Sequence, residues 1–213
     1  IQNLEDNFNV FCIDFDKDGD LDILQNNQGN DNSSQIAWYK NNGSFNFSGA
    51  YIEKDISDPH DQYAVDLDQD GNLDVIATGR FGMKWYKYDD NQSQVSSTLL
   101  SSEAHSVSKI FPTDIDNDGD IDILVNSKRF LELYLNDGNE NFTKVSIEGG
   151  YRGGVGYAAD LDLDGDIDFL RSNVDQSERN TYLQIVENQL ERGQISDNWS
   201  SKKINTVAGN DAR

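Results

Sequence analysis

Cysteine, proline, histidine and methionine are scarce in this sequence of 213 residues, which contains one, two, two and one of them. The single cysteine, Cys12, allows no internal disulfide, and its position in an apolar run predicts a small buried core residue. Two histidines and one cysteine cannot supply the nitrogen and sulfur ligands of several zinc or copper sites. A disulfide-stapled fold and repeated soft-metal centres are therefore excluded.

Targeting and catalytic signals are missing as well. No run approaches the ~18 apolar residues of a membrane-spanning helix, and no charged-then-apolar leader precedes Ile1. Because the chain does not begin with methionine, we expect a processed or excerpted piece. The sequence has no GxSxG elbow, phosphate-binding glycine loop or HExxH motif, and it therefore predicts a protein that is not an enzyme.

Positive charge is also in short supply. There are 17 Lys and Arg residues against 39 Asp and Glu residues, and the formal net charge is −22. This charge disfavours nucleic acid and anionic membranes as partners and favours cations. The hydrophobic share of 36% still suffices for a core. The 17 glycines, with frequent Asn and Asp, supply the turns of a many-stranded fold.

One aspartate-rich block with the pattern DxDxDGxxD occurs four times. The copies are DFDKDGDLD (14–22), DLDQDGNLD (66–74), DIDNDGDID (114–122) and DLDLDGDID (160–168), called loops 1 to 4 below. Their first residues are separated by 52, 48 and 46 positions. This spacing is near the period of propeller blades and too long for a typical solenoid rung. Four copies exclude chance as the explanation.

Each repeat contains four predicted strands. Apolar runs flank every loop, and a further aromatic or aliphatic run follows at 36–39, 83–88, 130–135 and 182–186. Turns such as Asn41-Asn42-Gly43 and Asn136-Asp137-Gly138 then lead into a last alternating segment at 51–56, 142–147 and 199–204. The pattern predicts an all-β fold, a β-propeller of four-stranded antiparallel blades, with a β-solenoid as the alternative.

The repeats define the expected domain organisation. We predict a single propeller domain or propeller fragment over 1–213, with repeats at approximately 1–56, 57–104, 105–150 and 151–204. Residues 205–213 either begin a further blade or close the ring against the first repeat. The four blades can form part of a larger ring, which self-association could complete.

The loops have the residue types of an oxygen-only metal site. In a strand, residues two apart lie ~6.6 Å from each other, whereas the ligands of one calcium ion lie ~2.3 to 2.6 Å from it. The loop must therefore curl, and Gly at position 6 permits the positive φ that a curl needs. The predicted ligands are Asp14, Asp16, Asp18, Asp20 and Asp22; Asp66, Asp68, Asp70, Asn72 and Asp74; Asp114, Asp116, Asp118, Asp120 and Asp122; Asp160, Asp162, Asp164, Asp166 and Asp168.

Positions 1, 3 and 5 are expected to offer side-chain oxygens, position 7 a backbone carbonyl and position 9 a final carboxylate. The apolar residues at positions 2 and 8 would fix the loop to the core on both sides. An EF-hand loop begins alike but needs a bidentate Glu at position 12 and flanking helices. Position 12 holds Gln25, Ala77, Val125 and Arg171 here, so an EF-hand is excluded.

The chemistry of these ligands predicts Ca²⁺, about four ions per chain. Hard carboxylate oxygens and a ligand count above six favour Ca²⁺ over the smaller Mg²⁺. The motifs hold 19 of the 39 acidic residues, and clustered carboxylates repel one another when no cation is bound. We therefore expect the calcium to stabilise the blades structurally.

These loops, with Leu133-Tyr-Leu-Asn-Asp-Gly138 and Phe142 in the third repeat, resemble the FG-GAP/VCBS repeat family of integrin-α-like calcium-binding propeller blades. The fourth repeat departs from the pattern, because Gln184-Ile-Val-Glu-Asn188 lacks the Asn-Asp-Gly turn. The resemblance implies a secreted or cell-surface protein that acts in cell adhesion, carbohydrate binding or assembly. Its partner would be a protein or glycan at one propeller face. The alternative is a lectin or the propeller domain of a polysaccharide lyase or hydrolase.

Residues outside the loops give weaker indications of function. Six Asn-x-Ser/Thr sequons fit a secreted glycoprotein, at Asn32, Asn42, Asn46, Asn91, Asn141 and Asn198. The pairs Trp38-Tyr39 and Trp85-Tyr86 could stack on sugar rings, although matched positions in successive repeats favour packing between blades. His60 and His105 precede loops 2 and 3, where such segments could gather into a ligand surface or be ordinary loop positions.

Overall fold

The computed structural model describes residues 8–27, 34–54, 56–103, 107–127, 130–149, 156–174, 181–189 and 199–204, and these contain sixteen β-strands. Sheet 1 consists of β1 Phe8–Ile13, β2 Asp22–Asn27, β3 Gln35–Asn41 and β4 Phe47–Lys54. Sheet 2 consists of β5 Pro59–Val65, β6 Asp74–Gly79, β7 Gly82–Tyr88 and β8 Gln94–Ser101. Sheet 3 consists of β9 Val107–Thr113, β10 Asp122–Ser127, β11 Phe130–Asn136 and β12 Phe142–Gly149. Sheet 4 consists of β13 Gly156–Ala159, β14 Asp168–Val174, β15 Thr181–Asn188 and β16 Trp199–Ile204.

Every sheet is an antiparallel meander in which each strand pairs with the next one along the chain. The four acidic loops occupy the same place, between the first and second strands. The predicted all-β class with four-stranded antiparallel units is confirmed. A solenoid would build its sheets from strands of successive coils, whereas each sheet here takes its four strands from one repeat.

Three hydrophobic clusters join the sheets face to face, one between each consecutive pair. Between sheets 1 and 2, Phe15 packs against Trp38 and Tyr88 with ring centroids 4.9 and 5.2 Å apart. Trp85 meets Phe142 between sheets 2 and 3, and Phe111 meets Phe169 between sheets 3 and 4. At all three interfaces, the equivalent face of the earlier sheet therefore packs against the opposite face of the later sheet.

The first strands of consecutive sheets lie side by side, β1 by β5, β5 by β9 and β9 by β13, and are called the inner strands. No comparable contact joins β1 to β13 among the described residues. The row of sheets is therefore open between its first and last members.

Two details differ from the sequence expectation. The last strand of the second repeat, β8, matched no pattern because its residues are mostly exposed and do not alternate. Cys12 is exposed rather than buried, because none of the four described sheets covers its side of sheet 1. Residues 205–213 lie outside the described part of the chain. No helix that could span a membrane occurs among the described residues.

Candidate metal centres

The four acidic loops share one curled backbone conformation. Position 6 is glycine with φ of 94°, 93°, 102° and 100° in loops 1 to 4. A Cβ at Gly19, Gly71, Gly119 or Gly165 would meet no atom within 4 Å. Glycine is therefore required by the backbone angle and not by space, as the sequence predicts.

A second left-handed residue stands at position 4 of every loop, where sequence reasoning expected nothing special. Lys17, Gln69, Asn117 and Leu163 have φ of 60°, 58°, 57° and 67°. Four different side chains occupy this position, so no residue type marks it in the sequence. The two positive φ angles together turn the loop back on itself.

Hydrogen bonds inside each loop hold the carboxylates inward. The aspartate at position 1 accepts a hydrogen bond from the glycine N–H, at 3.0, 3.0, 3.1 and 3.2 Å in loops 1 to 4. The aspartate at position 5 accepts one from the N–H of position 7, at 3.0, 2.8, 2.9 and 3.2 Å. The curl is therefore fixed by its own side chains, as in Asx turns.

The aspartate at position 9 is buried in every loop and ties the loop to the third strand of its sheet. One carboxylate oxygen accepts a hydrogen bond from a third-strand N–H, from Asn41, Tyr88, Asn136 and Asn188 at 2.8, 3.0, 2.8 and 2.9 Å. The other oxygen accepts one from the N–H of position 2 in loops 1, 3 and 4, at 3.2, 2.9 and 3.0 Å. In sheet 1 the same oxygen of Asp22 also accepts a hydrogen bond from Trp38 Nε1, and in sheet 2 the corresponding oxygen of Asp74 accepts one from Trp85 Nε1.

Burial raises the pKa of two of these carboxyls. Desolvation raises the pKa of Asp74 to about 7, although the Tyr88 N–H and the Trp85 indole lower it. Desolvation likewise raises the pKa of Asp122 to about 7, against hydrogen bonds from Asn136 and Ile115. Neighbouring loop carboxylates add to both shifts. A nearby cation would favour the charged form and offset this cost.

Three carboxylates converge in each loop, with one oxygen of each within 4.8 Å of the others. Loops 1 and 2 bring positions 1, 3 and 5 together, and loops 3 and 4 bring positions 1, 3 and 9 together. Oxygens that share a Ca²⁺ at ~2.3 to 2.6 Å are separated by at most about 5 Å. The spacing therefore fits one divalent ion per loop.

Several carboxylate oxygens of loops 1, 2 and 4 are buried without a hydrogen-bond partner among the described residues. They are Oδ1 of Asp14 and Asp16 in loop 1, Asp66 in loop 2 and Asp166 in loop 4. Burial of a charged oxygen without a partner is costly. A hard cation would satisfy these oxygens, so the residues fit a bound metal.

Lysines reach into the first two loops. The Lys40 ammonium contacts Asp16 and lies 3.2 Å from Asp18 Oδ2, and Lys87, at the same position of β7, contacts Asp68. Hydrogen bonds to Asp68 and Glu140 raise the pKa of Lys87. The same position holds Leu135 in sheet 3 and Glu187 in sheet 4.

Position 7 supports neighbouring turns and loops. A Cβ on Gly138, in the β11–β12 hairpin, would lie 2.5 Å from Asp120 Oδ2, so the hairpin glycine makes room for this carboxylate.

Hydrogen bonds also connect neighbouring loops. The side-chain amide of Gln69 in loop 2 donates to Asp120 Oδ1 of loop 3 and to Gly119 O at 2.6 Å. Asn117 of loop 3 donates to Gly165 O in the same way at 3.5 Å. Loops 2, 3 and 4 therefore form a connected row.

The apolar positions 2 and 8 fix the inner loops on both sides, but not the outer ones. Position 2 is buried in loops 1 to 3, whereas Leu161 in loop 4 is 39% exposed. Position 8 is half-buried in loops 2 to 4, whereas Leu21 in loop 1 is 62% exposed. The expectation is wrong at these two positions because, in the described part of the chain, sheets 1 and 4 each have a neighbouring sheet on one side only.

The inner strands carry a polar cluster that sequence reasoning missed. Asn9, Asp61 and Lys109 stand at the same place in three repeats, five residues before the loop. Asp61 is buried and accepts hydrogen bonds from Asn9 Nδ2, from Lys109 Nζ at 2.9 Å and from Ile110 N at 2.9 Å. Burial raises the pKa of Asp61, and the hydrogen bonds from the Ile110 N–H and Lys109 lower it. The common offset from the loops was the signal that could have found the cluster.

A cavity of about 450 Å³ lies against this cluster, lined by all four inner strands. Each strand contributes an aromatic ring three residues before its loop, namely Phe11, Tyr63, Phe111 and Tyr157. Gln62 also lines the cavity, and its Oε1 is buried without a hydrogen-bond partner among the described residues. Aromatic faces with a few convergent polar groups are typical of small-molecule sites.

The aromatic residues and histidines that the sequence suggested as contacts for a sugar or other ligand have different roles. Trp38, Trp85 and Tyr86 are buried between sheets, so packing between blades is confirmed for them and sugar stacking is wrong, whereas Tyr39 is only half-buried. His60 lies half-buried in β5, 3.5 Å from Asp58, and His105 lies outside the described residues.

The chain matches the model of the FG-GAP-like repeat three times, over 14–77, 66–125 and 114–170, and each match runs from one acidic loop through the next. Comparison with curated protein sequences gives no match. Among solved structures, a lectin from Agrocybe aegerita, described as recognising non-reducing terminal N-acetylglucosamine, is similar with a TM-score of 0.57 and 14% identity over 92% of this chain. The chain spans 65% of the length of that lectin. Because the three matches together span most of the sequence, the chain belongs to the FG-GAP-like repeat family, and its four sheets are blades of a β-propeller.

Proposed function

We propose that this chain is an extracellular propeller module that binds one Ca²⁺ in each of its four loops and uses the ions to stabilise its blades. The observation that carries the proposal is the convergence of three carboxylates in every loop, together with buried carboxylate oxygens in loops 1, 2 and 4 that have no hydrogen-bond partner among the described residues. The ligands would be the carboxylates of positions 1, 3, 5 and 9 of each loop together with the backbone carbonyl of position 7. Such an all-oxygen set, in which each carboxylate can supply one or two oxygens, favours Ca²⁺ over Mg²⁺ or Zn²⁺.

The calcium would act through the position-9 aspartate. This residue is hydrogen-bonded to the third strand, so an ion on the same carboxylate links the loop to the body of its blade. Binding to the folded state alone stabilises by about 2.7 kcal/mol per site at a hundredfold excess over Kd. Four sites would thus make the melting temperature strongly dependent on calcium.

Calcium binding is tested by native mass spectrometry and thermal melting. We expect four ions per chain, a marked fall of the melting temperature in EGTA, and recovery with Ca²⁺ but not with equal Mg²⁺. Asp116→Asn should reduce the count to three ions, while Asp90→Asn, an exposed hairpin control, should leave four. A melting temperature that is indifferent to EGTA would contradict the proposal.

We further propose that the module binds a carbohydrate and does not catalyse its breakdown. The fold is shared with a lectin, and the cavity between the inner strands offers aromatic rings beside polar groups, a combination that suits sugars. The sequons at Asn42, Asn46, Asn91 and Asn141 are exposed, which is consistent with the proposed extracellular location. All four sheets would belong to one propeller unit.

Glycan-array binding with and without EGTA tests the carbohydrate proposal. We expect binding in calcium and its loss in EGTA, because the loops begin where the inner strands end. Incubation with the bound polysaccharide should release no new reducing ends. Shortening of the polysaccharide would instead support the alternative of a lyase or hydrolase domain.

A further inference from the structure

The cavity between the inner strands is lined by a buried side chain with one unsatisfied polar atom. Gln62, on β5, is 2% exposed, and its Oε1 has no hydrogen-bond partner among the described residues. Its Nε2 donates to Asn9 O of β1 at 2.9 Å. Because a backbone carbonyl can only accept, the NH₂ group of Gln62 must be the end that meets Asn9 O. The unsatisfied atom is therefore an oxygen, and only a donor can satisfy it.

The charged groups beside Gln62 already compensate each other. Asp61 is 2% exposed and accepts hydrogen bonds from Lys109 Nζ and Ile110 N, each at 2.9 Å. An ammonium group has three protons, so Lys109 can neutralise Asp61 and still donate to a ligand in the cavity that it lines. The polar side of the cavity therefore combines an ion pair of no net charge with a donor at Lys109 and an acceptor at Gln62.

These polar groups select against acidic and purely apolar ligands. A carboxylate or a sulfate has no proton for Gln62 Oε1, and it would approach the buried Asp61 carboxylate of a chain with a net charge of −22. An apolar ligand would leave Gln62 Oε1 unsatisfied, which is costly. A hydroxyl group both donates and accepts, so it can serve Gln62 and Lys109. The polar groups therefore favour an uncharged ligand with several hydroxyls.

The aromatic rings of the cavity add a preference for a sugar among such ligands. Phe11 and Tyr63 lie together with their ring centroids 4.6 Å apart, and Phe111 and Tyr157 come from the next two inner strands. Aromatic faces pack on the C–H faces of a sugar ring, while the hydroxyls at its edge reach polar atoms. Tyr157 is 67% exposed, so its ring is open to an entering ligand.

We propose that this cavity is a binding site for a neutral sugar, in which Gln62 Oε1 accepts a hydrogen bond from a sugar hydroxyl, Lys109 Nζ donates one, and Tyr157 stacks on the sugar ring. The inference rests on the carbohydrate binding proposed above and adds the place, the contacting residues and the charge class of the ligand. Acidic sugars are excluded from the site because they cannot donate to Gln62.

A glycan array in millimolar calcium tests the charge class. The array pairs neutral oligosaccharides of glucose, galactose, mannose and N-acetylglucosamine with oligosaccharides of glucuronate and galacturonate and with a sulfated galactan. We expect binding to one or more of the neutral oligosaccharides and none to the acidic ones. A preference for the uronates or the sulfated galactan would overturn the proposal.

Two variants on the same array test the place of binding. Gln62→Met has a similar size but no acceptor, and Tyr157→Ala removes an exposed ring. Each should raise the half-saturating protein concentration on the bound neutral oligosaccharide by about tenfold. Tyr51→Ala, which removes a tyrosine that is 55% exposed on the outer strand β4, is the matched control and should bind as the unmodified chain does.

The melting temperature in calcium checks the folding of each variant. Gln62→Met also loses the hydrogen bond to Asn9 O, and Tyr157→Ala keeps the test valid if that loss unfolds the chain. Binding of the neutral oligosaccharide that survives unchanged in folded Gln62→Met or in Tyr157→Ala would overturn the cavity as the site and leave the proposed carbohydrate binding intact. An unmodified chain that binds no glycan at all would instead contradict the proposed carbohydrate binding itself, and this inference with it.

Discussion

The aspartate at position 9 is the most constrained side chain of each loop, because it is buried and its two oxygens accept from different donors. In loop 3, Asp122 accepts hydrogen bonds from Asn136 N at 2.8 Å and from Ile115 N at 2.9 Å. An amide in its place can accept at one oxygen only, and its NH₂ group would face an N–H donor. A buried donor that loses its acceptor is costly.

We therefore predict that Asp122→Asn lowers the free energy of unfolding by about 2 to 4 kcal/mol even without metal. Urea unfolding in EGTA measures this, because the contribution of calcium is then absent. The control is Asp120→Asn in the same loop, which copies the natural Asn72 of loop 2 and should change stability by less than about 0.5 kcal/mol. Equal effects of the two changes would show that position 9 has no special structural role.

A second prediction concerns the lysines that contact loops 1 and 2. An ammonium ~4 Å from a bound divalent cation costs about 2 kcal/mol in water, which corresponds to about a thirtyfold loss of affinity. The calcium-binding isotherm should therefore show two classes of site, with two high-affinity sites in loops 3 and 4 and two lower-affinity sites in loops 1 and 2.

The double variant Lys40→Met with Lys87→Met should merge the two classes in isothermal titration calorimetry. Its control is Lys54→Met with Lys202→Met, which removes equal charge from exposed positions on β4 and β16. Two classes that persist in the first double variant would contradict a role of these lysines.

At the scale of the element, the loop conformation depends on two left-handed residues, and only one of them is glycine. Asparagine tolerates this conformation better than leucine does, and loop 3 already has Asn117 at position 4. We predict that Leu163→Asn raises the free energy of unfolding by up to about 1 kcal/mol and that Gly165→Ala lowers it by about 1 to 2 kcal/mol.

Urea midpoints at saturating calcium measure both changes. Leu99→Asn, an exposed leucine in the extended strand β8, is the control and should not stabilise. If Leu163→Asn and Leu99→Asn had the same effect, the backbone angle at position 4 would carry no strain.

At the scale of the whole molecule, the charge of −22 is concentrated in a few places, since 19 of 39 acidic residues lie in the four loops. Loops 2, 3 and 4 also contact one another, so repulsion extends from loop to loop. Screening by salt weakens such repulsion, because the Debye length falls from about 30 Å at 0.01 M to about 3 Å at 1 M.

We predict that NaCl raises the melting temperature by several degrees in EGTA and has little effect in millimolar calcium, where bound ions already compensate the loops. Differential scanning fluorimetry at two salt concentrations measures this. Sucrose at matched osmolality controls for exclusion effects, which do not depend on charge. An equal response to NaCl with and without calcium would indicate that the repulsion lies elsewhere on the surface.

The sequence alone predicted every strand except β8, the repeat and the converging carboxylates, because these depend on residue patterns within about ten residues and on their recurrence along the chain. It determined that each loop curls, since Asp at alternate positions and Gly at position 6 are local signals. It did not show which third-strand N–H groups donate to position 9, because their separation from the aspartate along the chain differs between repeats. Asn41 and Asn188 lie 19 and 20 residues after their aspartates, whereas Tyr88 and Asn136 lie 14 residues after theirs.

Only the tertiary structure decided which apolar side chains are buried. Cys12, Ala64, Pro112 and Ala158 occupy one position in the four repeats, and a local pattern predicts the same burial for each. Cys12 is nevertheless exposed, because burial requires the face of another sheet and none of the described sheets covers this side of sheet 1. Local residue patterns determined the strands and the loop of each blade, and contact between blades determined which of its faces is exposed to solvent.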